Sequence, residues 1–90
     1  MTEYYKQQRE IAFQRDNFRC QVCGRTANQQ GHIIANTKVN IKLYGAEIIN
    51  HHSNLKSVCS LYCNSVVMIS DCKTELVKSH LEYIKGCMND

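Results

Sequence analysis

Apolar and polar positions along the chain fall into blocks of different period, and each change of period marks a predicted element. From Thr2 to Arg15, the residues Tyr4, Tyr5, Ile11, Ala12 and Phe13 form one apolar stripe, with Lys6, Gln7, Gln8, Arg9 and Gln14 outside it. That pattern predicts a helix. Asp16-Asn17 is a turn pair that stops it. Arg19 to Gly24 predicts a tight knuckle, in which Gly24 lets the backbone curl. Thr26 to Gln30 is polar enough for a turn, and Gly31-His32-Ile33-Ile34 predicts a short strand.

Two periods compete between Asn36 and Asn50. Val39, Ile41 and Leu43 alternate as in a strand, whereas Val39 and Leu43 with Gly45 beyond them suit a short helix and its cap. The helix is the preferred reading. A further helix is predicted over Ser60 to Ile69, then a break and cap at Ser70-Asp71. The last helix runs from Lys73 to Lys85 on a stripe of Leu76, Val77, Leu81 and Ile84, with Gly86 closing it. The predicted class is α+β: one domain over residues 1–90, with a small core at about 16–69 between helices at about 2–15 and 71–86.

Composition adds a constraint. Ninety residues with 43% apolar and 21% charged side chains describe a folded chain, not a disordered one. A chain of this length hides only about 60–65% of its surface on folding, so a metal or disulfide staple is a common supplement. No apolar run approaches the roughly 20 residues of a membrane span, and Met-Thr-Glu-Tyr-Tyr-Lys lacks the apolar core of a signal peptide. The expectation is a cytoplasmic protein without a membrane anchor, where paired cysteines read as metal ligands. The net charge of +3 is compatible with a polyanion but does not establish one.

Six cysteines supply the staple. Cys20 and Cys23 are separated by two residues, the gap that turns both sulfurs toward one ion. Cys59 and Cys63 are separated by three, so a helix starting near Cys59 would place both on the same face. Four thiolates predict a structural Zn²⁺ site, the plainer alternative being two reduced pairs. Cys72 and Cys87 flank the last helix, about 20 Å apart if it is continuous, and read as isolated thiols. Cys72 could also substitute for Cys59 or Cys63 as a ligand.

Arg15-Asp16-Asn17-Phe18-Arg19-Cys20-Gln21-Val22-Cys23-Gly24, His32-Ile33-Ile34, and Asn54-Leu55 shortly before Val58-Cys59 resemble, in order and spacing, the four-cysteine subclass of the HNH endonuclease family. The resemblance covers about residues 9–66. It implies a zinc-bound ββα-metal core of treble-clef type that cuts nucleic acid with a divalent metal. It also implies that His32 is the general base and that Asn54 bonds to backbone to hold the His32 strand. Asn64 then stands where a residue of the motif contributes to the catalytic metal, Mg²⁺ or another divalent ion. The chemistry is consistent with those roles, because phosphodiester hydrolysis needs an activated water and an imidazole titrates near neutral pH.

Three departures from the family pattern stand out: Gly31 where many members carry a metal-binding aspartate, Asn64 in place of a histidine, and the longer second cysteine gap. A scaffold that has lost its catalytic metal and only grips nucleic acid or protein is the alternative. Glu47, His51, His52 and Asp71 are the nearest candidates for a missing ligand, although His51-His52 otherwise read as an exposed polar turn and His80 as structural. The expected partner is nucleic acid, double-stranded DNA in the first instance, with Arg19, Lys38 and Lys42 as phosphate contacts and a homodimer or larger complex as the source of any sequence choice.

Overall fold

In the computed structural model, which describes residues 2–69 and 73–89, the first helix, α1, spans Glu3–Arg15. The Thr2 hydroxyl accepts a hydrogen bond from the Tyr5 amide at 3.1 Å, supplying the N-cap that the first turn needs. The helix ends at Asp16, after which Asn17 and Phe18 take positive φ of 54° and 57°. Phe18 tolerates that strained backbone while its ring stacks on Phe13 at 5.7 Å and its amide bonds to the Phe13 carbonyl. The chain reverses there, as the turn pair predicts.

The knuckle follows. The Cys20 amide donates to the Arg25 carbonyl, the Gly24 amide to the Cys20 carbonyl, and Arg19 bridges Thr26. Gly24 sits at φ 81°, a conformation that side chains resist. Strand β1, Gln29–His32, pairs antiparallel with β2, Leu55–Val58, in the register Gln30↔Ser57 and Gly31↔Lys56. The strand thus begins two residues before the predicted Gly31 start and ends before Ile33 and Ile34. Gln29 and Gln30, expected in a turn, belong to the ladder because the Gln30 amide finds a buried partner in the Ser57 hydroxyl at 2.7 Å.

The ambiguous segment between the strands is helical. It forms α2, Lys38–Tyr44, and α3, Ala46–Ile49, divided by Gly45 at φ 96°, then one 3-10 turn over His52–Asn54. Helix α4, Leu61–Val67, starts after Ser60, whose hydroxyl accepts from the Cys63 amide. Helix α5, Thr74–Met88, runs through Gly86 instead of stopping there, since Gly86 is exposed and one helical glycine costs only about 1 kcal/mol. The predicted break at Ser70-Asp71, and Cys72, lie outside the described residues.

Apolar packing is divided into two clusters. Cys20, Val58 and Cys63 form one, with Cys59 and Val67 beside them. Ile34, Ile49 and Ile84 form the other, joined by Ile41, Tyr44, Ile48, Val77 and Leu81. The α5 stripe is as predicted except for Leu76, which is 52% exposed. The α1 stripe needs correction: Ile11 is exposed, Ala12 is its one fully buried residue, and Gln8 turns inward to accept from the His52 amide at 2.8 Å. Polar ties therefore seat α1. The Tyr4 hydroxyl donates to the Glu47 carbonyl, and Arg15 donates to the carbonyls of His52 and Leu55. The Asp16 carboxylate accepts from Arg15 and from the Ser57 amide.

Candidate metal centre and the His32 site

The knuckle, the end of β2 and the first turn of α4 bring four sulfurs together. The Sγ atoms of Cys20, Cys23, Cys59 and Cys63 lie within 4.8 Å of one another, with Cys23 to Cys59 at 3.3 Å and Cys59 to Cys63 at 3.8 Å. Tetrahedral coordination at about 2.3 Å sets sulfur–sulfur edges near 3.8 Å, so the tetrad has the dimensions of a thiolate metal site. The three-residue gap fits because Ser60 caps α4 and Cys63 follows one turn after Cys59. Cys20 and Cys63 are buried, Cys59 is partly buried and Cys23 is exposed.

The thiols themselves favour a cation. Burial opposes ionisation of Cys20, but the amides of Cys23 and Val22, the Cys23 thiol and the Cys59 amide outweigh it and bring the group to about 6. The Cys59 thiol, hydrogen-bonded to Cys23, partly buried, and hydrogen-bonded also to Cys63 and Cys20, is pushed up to about 12. Neighbouring sulfurs cannot all ionise unaided, and a divalent ion removes that conflict. Among the described residues this tetrad is the one group of three or more His, Cys, Asp or Glu side chains placed to hold an ion.

His32 closes β1. Its Nε2 lies 3.0 Å from Asn50 Oδ1 at the C-cap of α3, and its ring stacks on Tyr5 of α1 at a centroid distance of 5.6 Å. Burial holds the imidazole below its ordinary value near 6.5 and so favours the neutral ring, with the Asn50 bond offsetting part of the shift. Asn54 is fully buried and fastens the strand exit. Its Oδ1 accepts from the Ile34 amide at 2.9 Å, and its Nδ2 donates to the carbonyls of Ile34 and Ile49.

Gly31 faces the other way, as successive strand residues do. A Cβ there would lie 2.8 Å from Asn64 Oδ1 and 2.9 Å from Val67 Cγ2. The side chain of Asn64 thus occupies the space in front of Gly31, while His32 is engaged with Asn50 and Tyr5. Of the predicted set, His32 at the end of β1 pairs with Leu55, the residue after Asn54, and Asn64 belongs to the α4 side of the sheet.

The other imidazoles lie apart from His32. His51 is buried, contrary to the exposed turn expected, with Nδ1 at 2.7 Å from Ser53 Oγ and its ring 4.2 Å from that of His52. His80 is partly buried against Tyr83. Glu47 lies exposed on α3, and Asp71 is outside the described residues. Arg19 belongs to the knuckle and bonds to the Gly24 carbonyl, while Lys38 and Lys42 are exposed on α2. A groove of about 820 Å³ between α2 and α5, lined by Val39, Leu43, Tyr44, Val77 and Leu81 among others, contains none of the predicted site residues.

Two contributors, Asn50 and Tyr5, escaped sequence reasoning. Asn50 fell in the segment of mixed period, and the Tyr4-Tyr5 pair reads as packing. Compared with known proteins, the chain matches no family model, and no curated protein or solved structure is significantly similar. Among the described residues no helix is long and apolar enough to cross a membrane.

Proposed function

We propose that this chain is a small HNH-type endonuclease, a zinc-stapled ββα-metal domain of treble-clef type that hydrolyses phosphodiester bonds in DNA. One observation carries the reading: an imidazole, His32, is held by a side-chain hydrogen bond at the end of a strand whose exit is fastened by a buried asparagine, in a setting whose burial favours the neutral ring. A four-cysteine fold has no structural need of that arrangement. Zn²⁺ is the ion we assign to the tetrad, since four thiolates at tetrahedral spacing suit a borderline-soft ion without geometric preference.

In this reading His32 accepts the proton of the attacking water, a role for which a neutral ring is required. Asn54 holds the backbone that carries it. A catalytic Mg²⁺ would supply charge to the departing oxygen, but the residues present do not make a hard-cation site by themselves. Asn64 offers one amide oxygen, and Gly31 contributes no side chain. Arg19, Lys38 and Lys42 would contribute salt-sensitive phosphate contacts.

The packing of Asn64 against Gly31 favours a second reading, a nucleic-acid-binding or protein-binding module on the same scaffold. Nicking of supercoiled plasmid by zinc-loaded protein, with Mg²⁺, Mn²⁺ or Ni²⁺ added, separates the two. The expected result is metal-dependent nicking that is lost in His32→Ala. Folded protein that leaves the plasmid intact with every metal selects the second reading.

A further inference from the structure

An amide oxygen only accepts hydrogen bonds. The contact between Asn50 Oδ1 and His32 Nε2, at 3.0 Å, therefore requires the proton on Nε2. Nδ1 is left as the ring's free lone pair. Among the described residues it has no hydrogen-bond partner, and it is not one of the buried side-chain atoms left without one. The rest of the setting is consistent with a ring held in one orientation. Tyr5 stacks on it with planes 21° apart, and the Arg9 guanidinium lies 5.8 Å from the Tyr5 ring centroid. Asn50 is itself fixed, since it caps α3 with its amide bonded to the Ala46 carbonyl and sits one residue before the buried His51.

From this geometry we infer that Asn50 is a positioning residue, which holds His32 as the Nε2–H tautomer and presents Nδ1 as the proton acceptor. The inference rests on the reading of His32 as general base, and it assigns the atom and the orienting partner. The proton balance is direct. Water gives a proton to Nδ1 as its oxygen attacks phosphorus, the ring becomes an imidazolium with protons on both nitrogens, and the leaving alkoxide is protonated from solvent. Asn50 accepts throughout and changes no charge.

Three proteins test it: the parent, Asn50→Ala and Asn50→Asp, all zinc-loaded and checked for native amide dispersion. Long-range ¹H–¹⁵N spectra read the His32 tautomer directly, and plasmid nicking across pH reads its consequence. The parent should show Nε2–H. Asn50→Ala should lose the single tautomer and lower nicking by roughly 10–100-fold, the usual cost of removing an orienting partner. Asn50→Asp keeps an accepting oxygen opposite Nε2 but adds negative charge that favours the imidazolium. It should preserve Nε2–H, retain nicking at high pH, and move the acid limb of the profile upward, which a merely structural substitution would not do.

An Nδ1–H ring in the parent overturns the positioning role even if the parent cuts DNA. So does an Asn50→Ala protein whose spectra and pH profile match the parent. Absence of nicking from a parent with an Nε2–H ring would instead remove the nuclease reading, and with it the acceptor role of Nδ1, while the tautomer assignment stands.

Discussion

At Gly31 the strand has no side chain because α4 leaves no room for one. The nearest atoms to a built Cβ are the ends of two side chains, Asn64 Oδ1 at 2.8 Å and Val67 Cγ2 at 2.9 Å, both closer than packed atoms tolerate. Gly31→Ala should therefore destabilise the domain by about 1–3 kcal/mol, the usual cost of overpacking. Because one of the two obstacles is the Asn64 amide, adding Asn64→Ala should recover part of that loss, and denaturant midpoints for the four proteins of the cycle would measure the coupling. A Gly31→Ala protein as stable as the parent, or additive effects, would show that α4 shifts freely and that the glycine is not needed for packing. The sequence marked Gly31 as a departure from a metal-binding pattern, but its cause was not legible there. It depends on how closely a helix more than 30 residues away approaches the strand, a tertiary distance that no local pattern encodes. Asn54, which the sequence singled out, is buried and bonded to backbone, whereas Asn50 had no signal of its own.

The elements are seated by polar groups as much as by apolar ones, which explains which of them the hydrophobic pattern revealed. Helices α1 and α5 were legible because they are long and capped or striped. Strand β2 was not singled out, because its four residues include exposed Lys56 and buried Ser57, and β1 begins with two glutamines. The same polar seating makes the domain sensitive to acid. Burial alone would raise the Asp16 carboxyl, but hydrogen bonds from Arg15 and Ser57 and the Arg15 charge hold it below 3.8. His51 is held below 6.5 by burial and by His52, and His52 by burial and by Arg15. In both classes the unfolded chain binds protons more readily than the folded one, so stability rises with pH. The histidine contribution is complete above about 6.5 and is lost as pH falls below it through the lowered folded values. The Asp16 contribution is lost only below about 3.8. Urea midpoints measured from about pH 8 to about pH 2 should fall first in the histidine window and again below about 3.8. Thiol protonation also releases metal in acid, so the assignment rests on differences. His52→Gln should flatten the slope near 6.5, and Asp16→Asn should flatten only the loss near 3.8. A His52→Gln profile parallel to the parent would remove the histidine pair from the explanation.

For the molecule as a whole, the cysteine tetrad takes the place of a larger core. One of its two apolar clusters consists of Val58 and two of the four cysteines, with a third cysteine packed beside them, so the knuckle, β2 and α4 converge on sulfur more than on hydrocarbon. The cysteine spacings announced this part of the fold from sequence, since ligand geometry is set by the ion and only loosely by the rest of the chain. Such a site ties stability to metal. Structural zinc contributes about 10–16 kcal/mol in small peptides at neutral pH, and a whole domain is stable by only about 5–15 kcal/mol. Removing the ion with a strong chelator should therefore abolish the cooperative thermal transition, and restoring one equivalent of Zn²⁺ under reducing conditions should return it. Cys20→Ser should reproduce the chelated state, because Cys20 is a buried ligand and a serine hydroxyl is a poor replacement for a thiolate. Cys87→Ser, which alters a thiol on α5 away from the tetrad, should melt like the parent and bind the same amount of metal. If Cys20→Ser instead melts with the parent while holding a full equivalent of metal, the ion is bound elsewhere and the divided apolar clusters must suffice to hold the fold.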